Sequence, residues 1–292
     1  MIYYTVLEPY IARQQEHGRK ELTIGDYWIK LGECIKILEE ADMTTDPTRI
    51  GEQEMRHLLR SLSGSEQTVR VKLKMMDRWI QWHTGSSVLA RMDILWNRQI
   101  TVNRVFINAD EYARLLKDAR PWERLILVLG GMMGLRRAEI VNIRLEDIRN
   151  DCIRVHGKGH GKDGLVAFQP MPEPVRRELD AYRRWRDRLV GSAEKYLLVI
   201  PDGHGGWTGR RYLAQNVSRI MKKLGDRHGI ELTTHSLRRF YATNIYELTD
   251  HDVDLTRRLM RHADPRVTLD CYIKPNEEKK NAAINELASR FV

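Results

Sequence analysis

The alternation of apolar and polar residues that marks a half-buried strand is clear at only one place in this chain. Ile153 and Val155 share one face of segment 152–156, a tip with four glycines follows, and residues 165–168 run back. This pattern predicts a β-hairpin with a long glycine-rich tip. Elsewhere apolar residues recur at helical spacing. The predicted fold class is therefore mainly α with a small antiparallel β-sheet.

The helical pattern extends over both ends of the chain. In the first hundred residues it predicts three helices, of which one runs from Ser65 to His83. Segment 122–130 is apolar nearly all round and predicts a buried helix. A short strand is predicted over residues 196–200. The remaining helices are predicted from residues 24, 47, 108, 137, 172, 208, 236, 252, 265 and 276, with Pro47 near the first turn of its helix.

The helix from Ser65 to His83 carries basic residues beside an apolar stripe. The stripe consists of Val69, Leu73, Met76 and Ile80. The basic residues lie mostly off this stripe and are Arg70, Lys72, Lys74 and Arg78. They form either a solvated helix face or a face that follows a nucleic-acid backbone.

A chain of 292 residues suits two domains with separate cores. Residues 97–108 lose the helical periodicity and are predicted to connect them. A helix-capping pattern begins at Asn108, with Glu111 in the first turn of the following helix. We therefore place one domain at 1–100, a linker at 101–107 and a second domain at 108–292.

The net charge of +9 is unevenly distributed. Residues 1–100 contain 14 basic and 14 acidic residues, so the whole excess lies in residues 101–292. A basic excess of this kind is typical of a protein that binds a polyanion. A solvated, mildly basic surface would give the same composition.

Three features favour a cytoplasmic protein without a membrane partner. No apolar run is long enough to span a membrane, and the first twenty residues lack the pattern of a secretory signal. Cys34, Cys152 and Cys271 are odd in number and far apart. This cysteine usage favours a reducing compartment over a disulfide framework.

Residues that can hold and transfer a phosphate are spread over the last 160 or so positions. In sequence order they are Arg136, Lys158, His235, Arg238, His262 and Tyr272. Arginine, lysine and histidine can bind a phosphate and move protons around it, and a tyrosine can attack it. No carboxylate cluster accompanies them, so the set indicates phosphoryl transfer through a covalent intermediate without a metal or other cofactor. The basic charge favours a nucleic-acid phosphate.

The local patterns around the arginines and histidines suit anion binding. Arg136 follows a glycine break at a predicted helix start, and Glu139 either pairs with it or is exposed. His235 and Arg238 are three residues apart at a predicted helix N-terminus, which favours an anion. Thr233 and Thr234 can cap that helix.

The glycine-rich tip offers a lysine rather than a nucleotide-binding loop. Lys158 at the tip can donate a proton to a leaving oxygen, and Lys162 competes for this role. GKGHGK differs from the phosphate-binding loop motif, and no long helix follows it. A zinc site built from His251, His262 and Cys271 fits no usual ligand spacing.

Five blocks in order resemble the catalytic domain of tyrosine recombinases, the phage-integrase and Xer-like family. INADEYARLL resembles the opening helix, LILVLGGMMGLRRAEIVNIRLEDI the first-arginine block and VHGKGHGKDGLVAFQPM the lysine hairpin. THSLRRFYATNIYE and LMRHADPRVTLDCYI resemble the H-x-x-R and His–Tyr blocks. The match covers residues 104–273. It implies the DNA breaking-rejoining enzyme fold, with a helical core DNA-binding domain at 1–100 and a catalytic domain at 108–292.

The resemblance implies a role for each candidate residue. The two arginines and His262 would stabilise the pentacoordinate phosphate, and Lys158 would protonate the departing 5′-hydroxyl. His235 would assist proton transfer, and Tyr272 would form a 3′-phosphotyrosyl link. Tyr241 and Tyr246 are poorer nucleophiles because they lie within the helix of His235.

Three positions depart from the family pattern. Met133 stands where threonine is frequent, and Arg261 replaces the common glycine before the histidine. The spacing from His262 to Tyr272 is one residue longer than the commonest spacing. This spacing mildly favours an alternative, a catalytically impaired DNA-binding regulator on the same fold.

The expected partners also follow from the resemblance. They are double-stranded DNA and a homotetramer on two paired sites, with no small-molecule substrate. A helix over residues 276–292 would dock into a neighbouring protomer or pack on its own domain. A topoisomerase-like enzyme of type IB is a further alternative, since it uses the same chemistry without synapsis.

Overall fold

The computed structural model describes the chain in segments: residues 4–96, 105–157, 166–190, 194–202, 204, 206–207 and 212–262. The chain divides into two compact units, residues 1–102 and residues 103–292. Each unit encloses a hydrophobic core of its own.

The first unit is helical in its described residues. A 3-10 turn, Thr5–Leu7, leads into α1 (Glu8–Glu16), α2 (Glu21–Glu40), α3 (Glu52–Ser61) and α4 (Glu66–Thr84). Apolar residues at helical spacing point into one core, in which Leu31 and Ile35 of α2 and Leu73 and Met76 of α4 are fully buried. The Ser65 hydroxyl caps α4 by accepting a hydrogen bond from the Thr68 amide at 3.3 Å.

Helix α3 begins later than the sequence predicts. The Asp46 carboxylate accepts a hydrogen bond from the Thr48 amide at 2.9 Å, which makes residues 46–49 a turn. The helix starts only after Gly51, whose amide donates to the Glu54 carboxylate at 2.8 Å. The prediction that Pro47 lies near the first turn of this helix is therefore wrong.

The basic residues of α4 have three different environments. Lys74 and Arg78 are exposed. Lys72 is buried, and its ammonium lies 2.6 Å from a carboxylate of α2. The Arg70 guanidinium lies 5.3 Å from the ring centroid of Trp96. The predicted basic face of this helix is thus reduced to Lys74 and Arg78.

The second unit contains the small sheet and the remaining described helices. The helices are α5 (Ala109–Asp118), α6 (Pro121–Gly131), α7 (Arg137–Asn142), α8 (Glu173–Val190), α9 (Ala214–His228), α10 (Thr234–Leu248) and α11 (Val253–Met260). Residues 125–131 of α6 are all buried, as their apolar pattern predicts. Helix α6 packs against α8, α9 and α10, so it forms the centre of this unit.

The predicted hairpin is present. β1 (Cys152–His156) pairs antiparallel with β2 (Val166–Pro170), and Ile153 lies opposite Gln169. Ile153 and Val155 are buried in the core of the second unit, as their alternation predicts. The tip, residues 158–165, lies outside the described residues. The fold class, mainly α with a small antiparallel sheet, is confirmed.

The prediction of a strand over 196–200 is wrong. Tyr196 forms only an isolated bridge with Arg144. Two backbone hydrogen bonds join residues 195 and 197 to residues 145 and 143, and the buried Arg186 of α8 donates to the backbone carbonyls of Glu194, Tyr196 and Leu197. The apolar run 197–200 is therefore buried as an irregular segment.

Other predicted boundaries shift or cannot be compared. The helix predicted from residue 208 begins at Ala214, and the Leu213 amide before it donates to the Asn216 side chain at 2.9 Å. Ile107, placed in the linker by the sequence, belongs to the core of the second unit. The helices predicted from residues 265 and 276 lie outside the described residues.

Candidate active site

A tight turn after α6 sets the position of Arg136. Gly134 has a φ of +63°, and the Leu135 amide donates to the Leu129 carbonyl at 2.9 Å. A Cβ atom on Gly134 would lie 2.5 Å from the Tyr241 ring, so glycine lets the turn pack directly against α10. Arg136 then occupies the N-cap position of α7.

Glu139 holds Arg136 through both the main chain and the side chain. One carboxylate oxygen accepts from the Arg136 amide and the other from its Nη1, each at 2.8 Å. Glu139 is 2% exposed. Burial alone would raise its pKa, but the charges of Arg261 and Arg136 hold the pKa of this carboxyl below its usual value. Of the two alternatives from the sequence, pairing is confirmed and exposure is wrong.

Arg238 reaches the same turn from α10. Its side chain is buried, with Nη1 donating to the Gly134 carbonyl and Nη2 to the Met260 carbonyl. Nη2 also lies 3.0 Å from Nε2 of His262. Since a guanidinium can only donate, Nε2 is the acceptor and the His262 ring is neutral in this contact.

His262 follows α11 after a residue in the left-handed conformation, Arg261. Arg257 fixes its backbone, because the Arg257 Nη1 donates to the His262 carbonyl at 3.0 Å. The residue is 5% exposed. Burial, followed by the charges of Arg238, Arg136 and Arg261, lowers the pKa of His262 to about 3.

We refer to Arg136, Arg238 and His262 as the arginine–histidine cluster. Its members come from the turn after α6, from α10 and from the end of α11. Nη2 of Arg136 donates to the Arg261 carbonyl at 3.4 Å, which joins the first arginine to the His262 turn. The cluster therefore combines two guanidiniums and an imidazole, a composition that suits a phosphate.

His235 lies one turn before Arg238 on α10 and is exposed. The helix end is capped by Thr233, one of the two predicted threonines. Desolvation, together with the charges of Arg239, Arg137 and the cluster arginines, lowers the pKa of His235. A neutral imidazole at pH 7 can accept a proton. His235 also lines a cavity of about 530 Å³ with Arg137 and Arg239.

Arg261 and Gln169 are polar residues of this site to which the sequence assigned no role. The Arg261 side chain is 14% exposed and donates to the carboxylate of Glu139, the carbonyl of Gly134 and the side chain of Gln169. Gln169 is buried on β2. These partners are distant along the chain, so periodicity carries no signal of the contacts. Only the replacement of a common glycine by Arg261 marked that position.

A second buried carboxylate fixes the base of the hairpin. Asp147 accepts hydrogen bonds from the Arg144 amide at 2.9 Å and from Nε of Arg154 at 2.6 Å, and Nε2 of His156 lies at 3.4 Å. Burial opposes ionisation, but these three hydrogen bonds and the Arg154 charge lower the pKa of Asp147. No motif in the sequence predicts a role for Asp147.

Residues 105–279 match the phage integrase family, and these residues make up more than half of the chain. The chain belongs to the phage integrase family. It is 31% identical over 148 residues to tyrosine recombinase XerA of Pyrococcus furiosus. The aligned segment covers 50% of this chain and 48% of XerA. The chain spans about half the length of the curated relatives it matches.

Solved structures share the fold of this phage integrase family member. A lambda integrase dimer bound to a COC′ core site has a TM-score of 0.69 at 18% identity, covering 93% of this chain and 95% of that one. A lambda integrase tetramer bound to a Holliday junction has a TM-score of 0.67 at 16% identity, covering 92% and 76%. At these identities the likeness shows the fold alone.

Two of the predicted site residues lie outside the described residues, namely Lys158 and Tyr272. The alternative lysine, Lys162, also lies outside them. Their roles stay predictions. Tyr241 is buried against Gly134, and burial raises the pKa of its hydroxyl. A raised pKa makes this tyrosine a weaker nucleophile.

The described residues give no support for a zinc site. Among them, no group of three or more His, Cys, Asp or Glu residues could hold a metal ion. The His251 ring packs edge-on against Tyr246, with 4.8 Å between the ring centroids, and Cys271 lies outside the described residues. None of the described helices is long and apolar enough to cross a membrane.

Proposed function

We propose that this phage integrase family member is a site-specific recombinase that cleaves and rejoins DNA through a 3′-phosphotyrosyl intermediate. The observation that carries the proposal is the arginine–histidine cluster. Arg136, Arg238 and His262 come from distant parts of the sequence and meet around the Gly134 turn. The similarity to the tyrosine recombinase XerA supports the same activity.

The first step is the binding of one backbone phosphate of DNA. Arg136 remains about one-third exposed, while Glu139 fixes its orientation. A phosphate that accepts hydrogen bonds from Arg136 and Arg238 brings negative charge next to His262. That charge raises the pKa of His262 and favours its donation to a phosphate oxygen. The cluster then stabilises the extra negative charge of the pentacoordinate phosphate.

The second step is attack by a tyrosine. The Tyr272 hydroxyl loses its proton as its oxygen forms a bond to phosphorus, and the bond from phosphorus to the 5′-oxygen breaks. His235 is suited to take the tyrosine proton because its lowered pKa keeps the ring unprotonated at pH 7 and its side chain is exposed. Lys158, with Lys162 as the alternative, gives a proton to the departing 5′-oxygen.

Rejoining reverses this sequence with a new 5′-hydroxyl. That hydroxyl attacks the phosphotyrosine, the tyrosine leaves, and the DNA backbone is restored. The phosphodiester bond energy is kept in the phosphotyrosine, so the cycle requires neither ATP nor a metal ion.

The proposed partners are double-stranded DNA and three further copies of the chain. Phosphate contacts of basic residues give affinity for DNA without base specificity. One structural relative, lambda integrase, is a tetramer on a Holliday junction, and exchange between two duplexes by this chain would use four protomers in the same way. The proposed location is the cytoplasm.

Covalent trapping on nicked duplex DNA in the presence of a chelator tests this function. The wild type is compared with Tyr272→Phe, and Tyr246→Phe is the matched control, since it removes another tyrosine hydroxyl of the same unit. We expect a denaturation-resistant adduct with the wild type and the control and none with Tyr272→Phe.

The outcomes separate the alternatives. DNA binding without any adduct on a selected binding site favours the non-catalytic regulator. An adduct without assembly of protomers on paired sites favours the topoisomerase-like enzyme. An adduct that persists in Tyr272→Phe moves the nucleophile to another tyrosine.

A further inference from the structure

The Arg261 side chain contacts three separate parts of the site, although the residue itself lies between α11 and His262. Its Nη2 donates to the Glu139 carboxylate at 2.8 Å and lies 3.4 Å from the Gly134 carbonyl oxygen. Its Nη1 donates to the side-chain oxygen of Gln169. One guanidinium therefore joins α7, the glycine turn and strand β2.

Each partner of Arg261 positions a different part of the candidate active site. Glu139 is the carboxylate that orients Arg136. The Gly134 carbonyl also accepts a hydrogen bond from Arg238. Gln169 lies on the strand that leads back from the tip predicted to carry the lysine acid.

The backbone at Arg261 favours a different residue type. Its φ of 56° lies in the left-handed region, where glycine is unstrained and a side chain is not. An arginine at this position is strained locally, and its side chain is mostly buried. The contacts of the guanidinium offset that strain, which indicates that the side chain has a function of its own.

We propose that Arg261 is a positioning residue of the phosphate site. It holds the Glu139–Arg136 pair, the glycine turn and the hairpin in one arrangement before DNA binds. The effect of Arg261 on catalysis rests on the proposed function. Its effect on the structure can be measured without DNA. Because its guanidinium donates to the carboxylate that orients Arg136 and to the carbonyl that also accepts from Arg238, Arg261 acts through its neighbours rather than on the substrate.

The test compares Arg261→Met, Arg261→Gly and Arg261→Lys with the wild type. Glycine removes the side chain and relieves the backbone strain, so we expect this variant to stay folded. Arg177→Met is the matched control, because it removes an exposed arginine from α8 of the same unit. Thermal unfolding of each variant verifies that the compared proteins are folded.

The first readout is the single-turnover rate of adduct formation, with DNA affinity measured separately. Loss of orientation at a reacting centre reduces the rate by up to about 100-fold. We expect Arg261→Met and Arg261→Gly to cleave about 10- to 100-fold more slowly with DNA affinity within about twofold of the wild type. Arg261→Lys recovers part of the rate, and Arg177→Met is unchanged.

The second readout is the titration of His262, followed by NMR of histidine side chains in the free protein. Arg261 is one of the charges that lower the pKa of this ring. The midpoint should move to higher pH in Arg261→Met and Arg261→Gly and stay near the wild-type value in Arg261→Lys. A purely structural role would lower the melting temperature without this charge-dependent pattern.

Two results would overturn the proposal. One is a wild-type cleavage rate and His262 midpoint in both Arg261→Met and Arg261→Gly. The other is a loss of cleavage matched by an equal loss of DNA affinity, which would make Arg261 a DNA ligand. If the wild type itself forms no adduct, the proposed function fails, while the His262 titration still shows whether the Arg261 charge acts on the arginine–histidine cluster.

Discussion

At the residue scale, the candidate active site depends on an imbalance of charge. Arg136, Arg238 and Arg261 bring three guanidiniums to the Gly134 turn, and Glu139 brings one carboxylate. The carboxylate is bonded to two of the three arginines, so it orients them without neutralising the group. The remaining positive charge is available to an anion.

Glu139 is the residue at which this balance is most easily tested. We expect Glu139→Gln to destabilise the fold by about 2–4 kcal/mol, because one amide NH₂ then faces the buried arginines in place of a carboxylate oxygen. The free energy of unfolding from denaturant titration measures the effect. Glu146→Gln, at an exposed carboxylate 3.0 Å from Arg144, is the control and should be near neutral. Equal stability of both variants would contradict the account.

His262 gives a pH dependence with a defined sign. Its pKa of about 3 in the folded protein lies below the ordinary value of 6.5, so the unfolded chain binds this proton first. The stability associated with the neutral ring is complete above pH 6.5 and is lost as the pH falls toward 3.

We therefore expect His262→Gln to reduce the pH dependence of unfolding. Between about pH 7 and about pH 5, the free energy of unfolding should fall more steeply for the wild type than for the variant. Denaturant titrations of the two proteins in the same buffers give both slopes. Parallel curves would show that the ring is not held neutral by the fold.

At the scale of elements, the glycine turn of the site and the segment beside α8 are held in place in different ways. The turn depends on close packing, because a Cβ atom on Gly134 would lie 2.5 Å from the Tyr241 ring of α10. The irregular segment over residues 194–200 depends on a buried guanidinium, because Arg186 of α8 donates to its carbonyls.

Gly134→Ala tests the turn, with Gly229→Ala as the matched control. Both glycines have positive φ, +63° and +66°, but no atom lies within 4 Å of a Cβ atom at Gly229. The control should lose about 1 kcal/mol of stability for the backbone conformation alone. Gly134→Ala should lose about 2–4 kcal/mol, because the overlap with Tyr241 adds to that cost. Equal losses in thermal unfolding would mean that the turn does not need close packing.

Arg186→Met tests the irregular segment. Removal of the guanidinium leaves three carbonyl groups without this donor, and we expect a loss of about 2–4 kcal/mol in the free energy of unfolding. Arg184→Met, at an exposed arginine on the same helix, should change little. A result in which Arg186→Met matches Arg184→Met would show that the segment over residues 194–200 is held by other contacts.

The elements that the sequence predicts correctly have a clear apolar pattern. The hairpin follows from alternation and a glycine-rich tip, α4 from an apolar stripe, and α6 from a segment that is apolar nearly all round. The prediction of a strand over 196–200 is wrong because an apolar run does not reveal that the Arg186 side chain donates to the carbonyls of Tyr196 and Leu197. The pairing of Glu139 with Arg136 is local and was foreseen as one alternative. The contacts of Arg261 join distant segments, so no local pattern contains them.

At the scale of the whole molecule, the two units are expected to differ in their interaction with DNA. The net positive charge lies entirely in residues 101–292, where the arginine–histidine cluster also lies. In the first unit Lys74 and Arg78 are the exposed basic residues of α4. We therefore expect the second unit to supply most of the salt-dependent affinity for DNA.

Peptide mapping of the trapped adduct identifies the residue that attacks the DNA phosphate. The wild type is trapped on nicked DNA in the presence of a chelator, digested with a protease and analysed by mass spectrometry. We expect one modified peptide, with the nucleotide joined through its 3′-phosphate to Tyr272. A nucleotide on a different tyrosine, or a link through a 5′-phosphate, would show that the proposed chemistry is wrong.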